Sequence, residues 1–193
     1  GFPAVRERIP IASVQAAEQA LQGNYRRCRA GQSWTWDGVQ FRYLWPDAEL
    51  MDNDNDRSCV LQIETGGHRV LLTGDISARA EASLVETYAS VLKSDVLVVP
   101  HHGSKSSSSA MFIERVAPQV ALISSGFQNR FRHPNDRVVR RYHEHGTVTI
   151  NSVDSGWAEL TLSARGWSWQ HRERIDRERY WQRTVTEATV TAD

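Results

Sequence analysis

The chain has 193 residues, 40% of them hydrophobic and 24% charged, which is enough for one domain with a sizeable core. Basic and acidic side chains balance at 23 each, so whole-chain charge singles out no polyanionic or polycationic partner. No apolar run approaches the roughly 20 residues of a membrane-spanning helix. The start, Gly1-Phe2-Pro3 followed by Arg6, Glu7 and Arg8, lacks the basic-then-apolar order of a signal peptide. A soluble chain is expected, which is compatible with its belonging to a membrane protein.

In chain order, Ser13 to Gln22 predicts a short helix with Ala16, Ala17, Ala20 and Leu21 on one face, stopped by Gly23-Asn24. Cys28 and Cys59 lack CxxC spacing, which argues against a zinc knuckle. They either pair, in an oxidising compartment, or sit separately in the core. Val39, Phe41 and Tyr43 alternate with Gln40, Arg42 and Leu44, a half-buried strand that Pro46 ends. Asp47 to Asp56 reads as a loop whose acids lack the ordered glycine and terminal glutamate of a calcium loop.

Cys59 to Ile63 and His68 to Thr73 predict a hairpin over Gly66-Gly67. Ser77 caps a helix carrying Ala80, Leu84, Val85 and Tyr88, and a buried strand follows at Asp95 to Pro100. The loop Gly103 to Ser109 is rich in serine and carries Lys105. A helix is expected from Ala110 to Val116 and an apolar strand from Val120 to Ser124. Gly126 to Asn135 is irregular. Asn135 then caps a helix with Val138, Val139 and Tyr142 inward, stopped by Gly146.

Val148 to Ile150 and Trp157 to Leu162 read as closing strands, and past Gly166 the chain is Trp-rich and then charged. Arg130, Arg132, Arg137, Arg140 and Arg141 cluster in a way that suits phosphate contacts. The C-terminal arginines alternate with Glu173, Asp176 and Glu178 and read as a solvated face. Alternating helices and strands argue for an α/β fold with mixed pairing.

Two of these strands end on metal-ligand residue types. Arg69-Val70-Leu71-Leu72-Thr73-Gly74 stops at Asp75, and Asp95 to Pro100 stops at His101, with His102 beside it. Parallel strands joined by a helix place both ends on one rim of a sheet, where ligands bind in open α/β sheets. In a tight turn both histidines can converge on that rim. The reading favours His101 as the ligand, with His102 orienting it or touching substrate. A serine hydrolase using Ser104 is disfavoured, because no Gly-x-Ser-x-Gly surrounds it.

Asn55 to Leu61, Leu71-Leu72-Thr73-Gly74-Asp75, Val99-Pro100-His101-His102-Gly103-Ser104-Lys105-Ser106-Ser107-Ser108 and Asn129-Arg130-Phe131-Arg132-His133-Pro134 occur in one order. That set resembles the C-terminal metallo-β-lactamase-like domain of the ComEC family of DNA-uptake channel proteins. Cys28, Gly31, Trp34, Trp36, Asp37 and Gly38 also resemble its bacterial form.

The resemblance covers residues 1–165, read as a partial metallo-β-lactamase-like domain, with 166–193 a charged C-terminal extension. It implies an α/β fold, an αββα sandwich of mixed sheets. It also implies two divalent metal ions, Zn²⁺ or Mn²⁺, with Asp75 bridging them and His101 binding the second. A carboxylate spans two metals ~3.5–4 Å apart, and such a pair activates water and stabilises phosphoryl charge. His133 and His102 are the catalytic candidates. Asn55, Ser104, Lys105, Ser106, Asn129 and Arg130 are the candidates for holding substrate or a bound water. Cys28 and Cys59 are the disulfide candidates, and a bridge there implies the periplasmic face of the inner membrane.

One departure stands out: the family's first metal motif, His-x-Asp-x-Asp-His, occurs nowhere in the sequence. Gly1 to Val5 resembles what directly follows it. The chain is therefore expected to be N-terminally truncated and to lack its first strands. Alone it is expected to bind metal partly or not at all, to be inactive, and to self-associate through an exposed sheet edge. The leading reading is a nuclease domain that degrades the non-transported strand, with single-stranded DNA and the rest of the channel protein as partners. The alternatives are a non-catalytic DNA-guiding module and a metallo-hydrolase acting on another phosphodiester.

Overall fold

The computed structural model describes residues 5, 7–11, 13–16, 25–46 and 54–176. Its main sheet has seven strands in the order β3-β4-β5-β6-β7-β8-β9. These are β3 (Ser33–Trp36), β4 (Val39–Trp45), β5 (Val60–Thr65), β6 (His68–Leu72), β7 (Val96–Val98), β8 (Val120–Ile123) and β9 (Val148–Asn151). The sheet is mixed. β3 to β6 pair antiparallel, and β6 to β9 pair parallel.

Local sequence explains the change of direction. Asp37-Gly38 and Gly66-Gly67 are two-residue turns, which can join only antiparallel neighbours. Each parallel step instead contains a helical crossover: α1 (Ala78–Tyr88), α2 (Ala110–Val116) and α3 (Asp136–Glu144). Ser77, Ser109 and Asn135 cap these helices by accepting from Arg79, Phe112 and Arg137 N–H groups. The core packs Leu71, Leu97 and Ala121 of the central strands with Leu84, Phe112, Ile113, Val138 and Tyr142 of the helices.

The α/β class with mixed pairing is as read from the sequence, but several local expectations change. Val14–Ala16, expected to be helical, is strand β1 and pairs in parallel with β2 (Tyr25–Arg27). The Cys28 N–H continues this ladder to the Ala16 carbonyl at 3.0 Å. Long-range pairing has overridden a weak local helix preference. The rest of the expected helix, residues 17–22, and most of the acidic loop, residues 47–53, lie outside the described residues.

In β4 the alternation breaks. Tyr43, Leu44 and Trp45 are all buried, where the register against β5 shifts. Cys28 and Cys59 form a disulfide with Cα atoms 6.0 Å apart, tying the end of β2 to the start of β5. At the other end, β10 (Ala158–Ser163) and β11 (Gly166–Arg172) form an antiparallel hairpin that spans residue 165. Short helices α4 (Ser152–Ser155) and α5 (Glu173–Asp176) flank it. Residues 177–193 lie outside the described residues.

Candidate metal and substrate site

The carboxyl ends of the parallel strands collect the chemistry-bearing residues, the edge at which ligands bind in open α/β sheets. Past β6 the chain turns through Gly74 at φ +58°, and a Cβ there would lie 2.7 Å from the Ser58 Cβ. Only glycine fits both the left-handed backbone and the close approach. The Ser58 hydroxyl accepts the Asp75 N–H at 3.0 Å. Buried Asp56 accepts from Ser77 N–H at 2.7 Å and Ser77 O–H at 2.9 Å. The Asp56 carbonyl accepts the Trp45 indole N–H at 2.6 Å. Asn55, the residue that sequence reading favoured here, is exposed in the adjoining 3-10 turn Asn55–Arg57.

Past β7 the chain makes the turn Pro100–Gly103, in which His101 (φ 49°) and His102 (φ 57°) are both left-handed. The His101 N–H donates to the Gly74 carbonyl at 3.0 Å, joining the two turns. Gly103 (φ +79°) faces Pro134, and a Cβ there would lie 2.7 Å from the proline Cβ.

The turn decides which imidazole meets the carboxylate. His102 Nε2 stands 3.5 Å from Asp75 Oδ1, and His102 Nδ1 is 2.7 Å from the Ser124 carbonyl. His102 is thus the imidazole that stands beside Asp75, where two successive left-handed residues carry it. A carbonyl only accepts, so His102 Nδ1 is the donor of that bond. This is how a backbone carbonyl orients a metal-binding histidine.

His101 faces His133 instead, with ring centroids 5.8 Å apart. His133 is held by Asn129. The Asn129 side-chain oxygen accepts the His133 N–H at 2.9 Å, and its amide donates to the carbonyls of His133 at 2.6 Å and Gly126 at 2.9 Å. Asn129, expected to touch substrate, therefore has its amide committed to the loop backbone. Burial, followed by the nearby His101 and His102, pulls the His133 imidazole below its usual 6.5, with Asp75 opposing. Its neutral form is favoured.

The serine loop is built rather than slack. Ser104 is buried and its hydroxyl lies 2.9 Å from that of Ser106. Ser107 donates to the carbonyls of Pro100 at 2.9 Å and Ser104 at 3.0 Å. Lys105 and Ser106 are exposed. Fully buried Glu81 clamps the far end by accepting the N–H groups of Ser108 and, at 2.8 Å, Ser109. The Tyr142 hydroxyl donates to Ser108 Oγ at 3.0 Å, and Arg141 donates to the Ser108 carbonyl.

Sequence reading missed Asp56, Ser58, Glu81 and Ser124. Asp56 sits among surface-like acids, Glu81 hides in a helix, and Ser124 acts through its backbone, which no side-chain pattern marks.

Residues 5–126 match the sequence profile described as the Metallo-beta-lactamase superfamily. The chain belongs to that superfamily. Within it, the chain is 39% identical over 183 residues to Competence protein ComA of Neisseria gonorrhoeae, covering 95% of this chain and 26% of that protein. It is 40% identical over 140 residues to Recombination protein 2 of Haemophilus influenzae (72% and 17%). It is 36% identical over 127 residues to ComE operon protein 3 of Bacillus subtilis (66% and 16%). These relatives are ComEC family members, and the chain spans about a quarter or less of their length.

Metallo-β-lactamase folds commonly hold divalent ions, and a carboxylate with imidazole nitrogens is a donor set that suits Zn²⁺ or Mn²⁺. The number of donors falls short. Among the described residues, no three His, Cys, Asp or Glu side chains are grouped to hold an ion. Asp75 and His102 are two donor types brought side by side, and no reaction step follows from them alone.

Proposed function

We propose that this chain is the phosphodiester-hydrolysing domain of a longer DNA-uptake protein. It acts on the DNA strand that is not transported, with divalent metal, Zn²⁺ or Mn²⁺, held in part by Asp75 and His102. The pairing of those two side chains carries the reading. With Nδ1 committed to Ser124, Nε2 and a carboxylate oxygen of Asp75 stand 3.5 Å apart. An imidazole nitrogen and a carboxylate oxygen are both donor types that Zn²⁺ or Mn²⁺ takes. The names of the relatives, a competence protein and a recombination protein among them, point to DNA as the substrate.

A bound metal ion supplies Lewis acidity and an ionised water. The chain's own residues supply the remainder. His133, favoured as neutral imidazole, is suited to moving a proton beside His101. Exposed Lys105 and Ser106 are placed to meet phosphate oxygens, with Ser104 holding Ser106. The disulfide supports an oxidising compartment, hence the periplasmic face. No described helix is long and apolar enough to cross a membrane, which suits a domain beside the channel rather than in it.

The test is hydrolysis of single-stranded DNA with Mn²⁺ or Zn²⁺ by the longer protein, its Asp75→Ala and His102→Ala variants, and this chain alone. Cleavage by the parent, lost in both variants and absent from the chain alone, is expected. Metal-dependent cleavage that survives Asp75→Ala would overturn the proposal. The shortage of metal donors among the described residues favours a second reading, a non-catalytic module that guides the strand. DNA binding without cleavage by the longer protein would establish it.

A further inference from the structure

We propose that Arg130 and Phe131 form a nucleobase-stacking platform beside the histidines, which makes the site select single-stranded over duplex DNA. The inference rests on the DNA reading above and adds the residues that grip a single strand.

Phe127 and Phe131 are each 63% exposed, in the loop that ends at His133. Single exposed hydrophobic residues are ordinary on a protein surface. Two phenylalanines four residues apart, with Arg130 and Arg132 flanking the second, are a more specific arrangement. The Phe131 ring lies within 16° of parallel to the His133 ring, at 5.7 Å between centroids. His133 in turn meets His101 at 5.8 Å. An unbroken run of rings thus leads from the loop surface to the rim that carries Asp75 and His102.

Charge on this loop matches a nucleic-acid strand. The Arg130 guanidinium sits 4.6 Å above the Phe131 ring, a cation–π contact that keeps the charge at the platform. Neither Arg130 nor Arg132 makes an ion pair with a described residue, which leaves both for phosphates. The three hydrogen bonds of Asn129 hold the loop in place before any strand arrives. Little ordering then remains to be done on binding.

The form of the strand follows from which base faces are available. In a duplex each base is stacked between its neighbours and offers only its edges. In a single strand a base can turn out and stack on an aromatic ring, whatever its identity.

The test is fluorescence anisotropy without divalent metal, using a labelled mixed-sequence 12-nucleotide single strand, its abasic counterpart and the matching duplex. The proteins are the parent chain, Phe131→Ala, Phe131→Trp and Arg130→Ala. One stacking contact amounts to about a 5- to 150-fold change in affinity. Phe131→Ala is expected to weaken binding of the base-bearing strand by that factor and leave the abasic strand and duplex unchanged. Phe131→Trp is expected to keep the preference. Arg130→Ala should weaken all three probes and flatten the salt dependence. Equal loss on base-bearing and abasic strands in Phe131→Ala, or no loss on either, would overturn the platform while leaving the hydrolase reading intact. Failure of the parent to bind any of the three probes would likewise overturn the platform.

Discussion

Glu81 holds the serine loop from beneath, and its removal should show how much of the site depends on that grip. Its side chain is fully buried, and its two carboxylate oxygens accept the Ser108 and Ser109 N–H groups. In Glu81→Gln one oxygen becomes an NH₂, and a donor then faces a donor. One buried N–H loses its partner, a cost of about 1–3 kcal/mol. In Glu81→Ala both N–H groups are orphaned, at ~1–3 kcal/mol each. The relief of no longer burying a carboxylate offsets part of this. A net loss of about 2–4 kcal/mol is expected, larger than for glutamine.

Urea unfolding followed by tryptophan fluorescence measures both variants. The midpoint should fall in the order parent, Gln, Ala at constant slope. Each kcal/mol lowers the melting temperature of a domain this size by about 2–4 °C. The pH dependence adds a second readout. Burial pushes the Glu81 carboxyl above its ordinary 4.5, against the N–H groups of Ser109 and Ser108 and the charge of Arg141. The folded state therefore binds this proton more tightly than the unfolded chain does. The stability linked to it is full below 4.5 and is lost as pH rises through the folded value. That component should vanish in Glu81→Gln. A glutamine variant as stable as the parent at pH 7 would refute the clamp.

Three further outcomes are expected. Reducing the Cys28–Cys59 bridge, which closes a separation of 31 residues, should cost about 3–4 kcal/mol; equal urea midpoints with and without reductant would contradict this. Gly103→Ala combines a left-handed backbone with a Cβ 2.7 Å from Pro134, so a loss of about 2 kcal/mol or more in thermal unfolding is expected, and an unchanged melting curve would sink the packing argument. His133 should titrate below 6.5 by NMR. Because the unfolded chain protonates first, the stability tied to this group should fall as pH drops from 6.5 toward the folded midpoint; a midpoint above 6.5 would reverse the assigned balance of burial and charge.

Much of the scaffold was legible because its signals are local. The two-glycine turn between β5 and β6, the apolar runs Val96–Val98 and Val120–Ile123, and the capping residues Ser77, Ser109 and Asn135 each act within a few positions of themselves. Val14–Ala16 was not legible, because its partner, β2, lies beyond a stretch that gives no pairing signal of its own. Residues 166–172 looked like the start of a charged extension, yet they pair with β10, since tryptophans alternating with polar residues suit a half-exposed strand.

For the site, the amino-acid sequence alone determined which residue types stand at the strand ends, because an apolar run followed by Gly-Asp or Pro-His-His sets where each strand stops. Only the tertiary structure decided which of these side chains meet. The meeting of His102 with Asp75 depends on two consecutive left-handed residues and on the Ser124 carbonyl just past a neighbouring strand. The grip of Asp56 on Ser77 and of Glu81 on Ser108 and Ser109 joins segments distant along the chain. Backbone carbonyls and amides do much of this work, and because every residue carries them, no pattern of side chains reveals which ones are used.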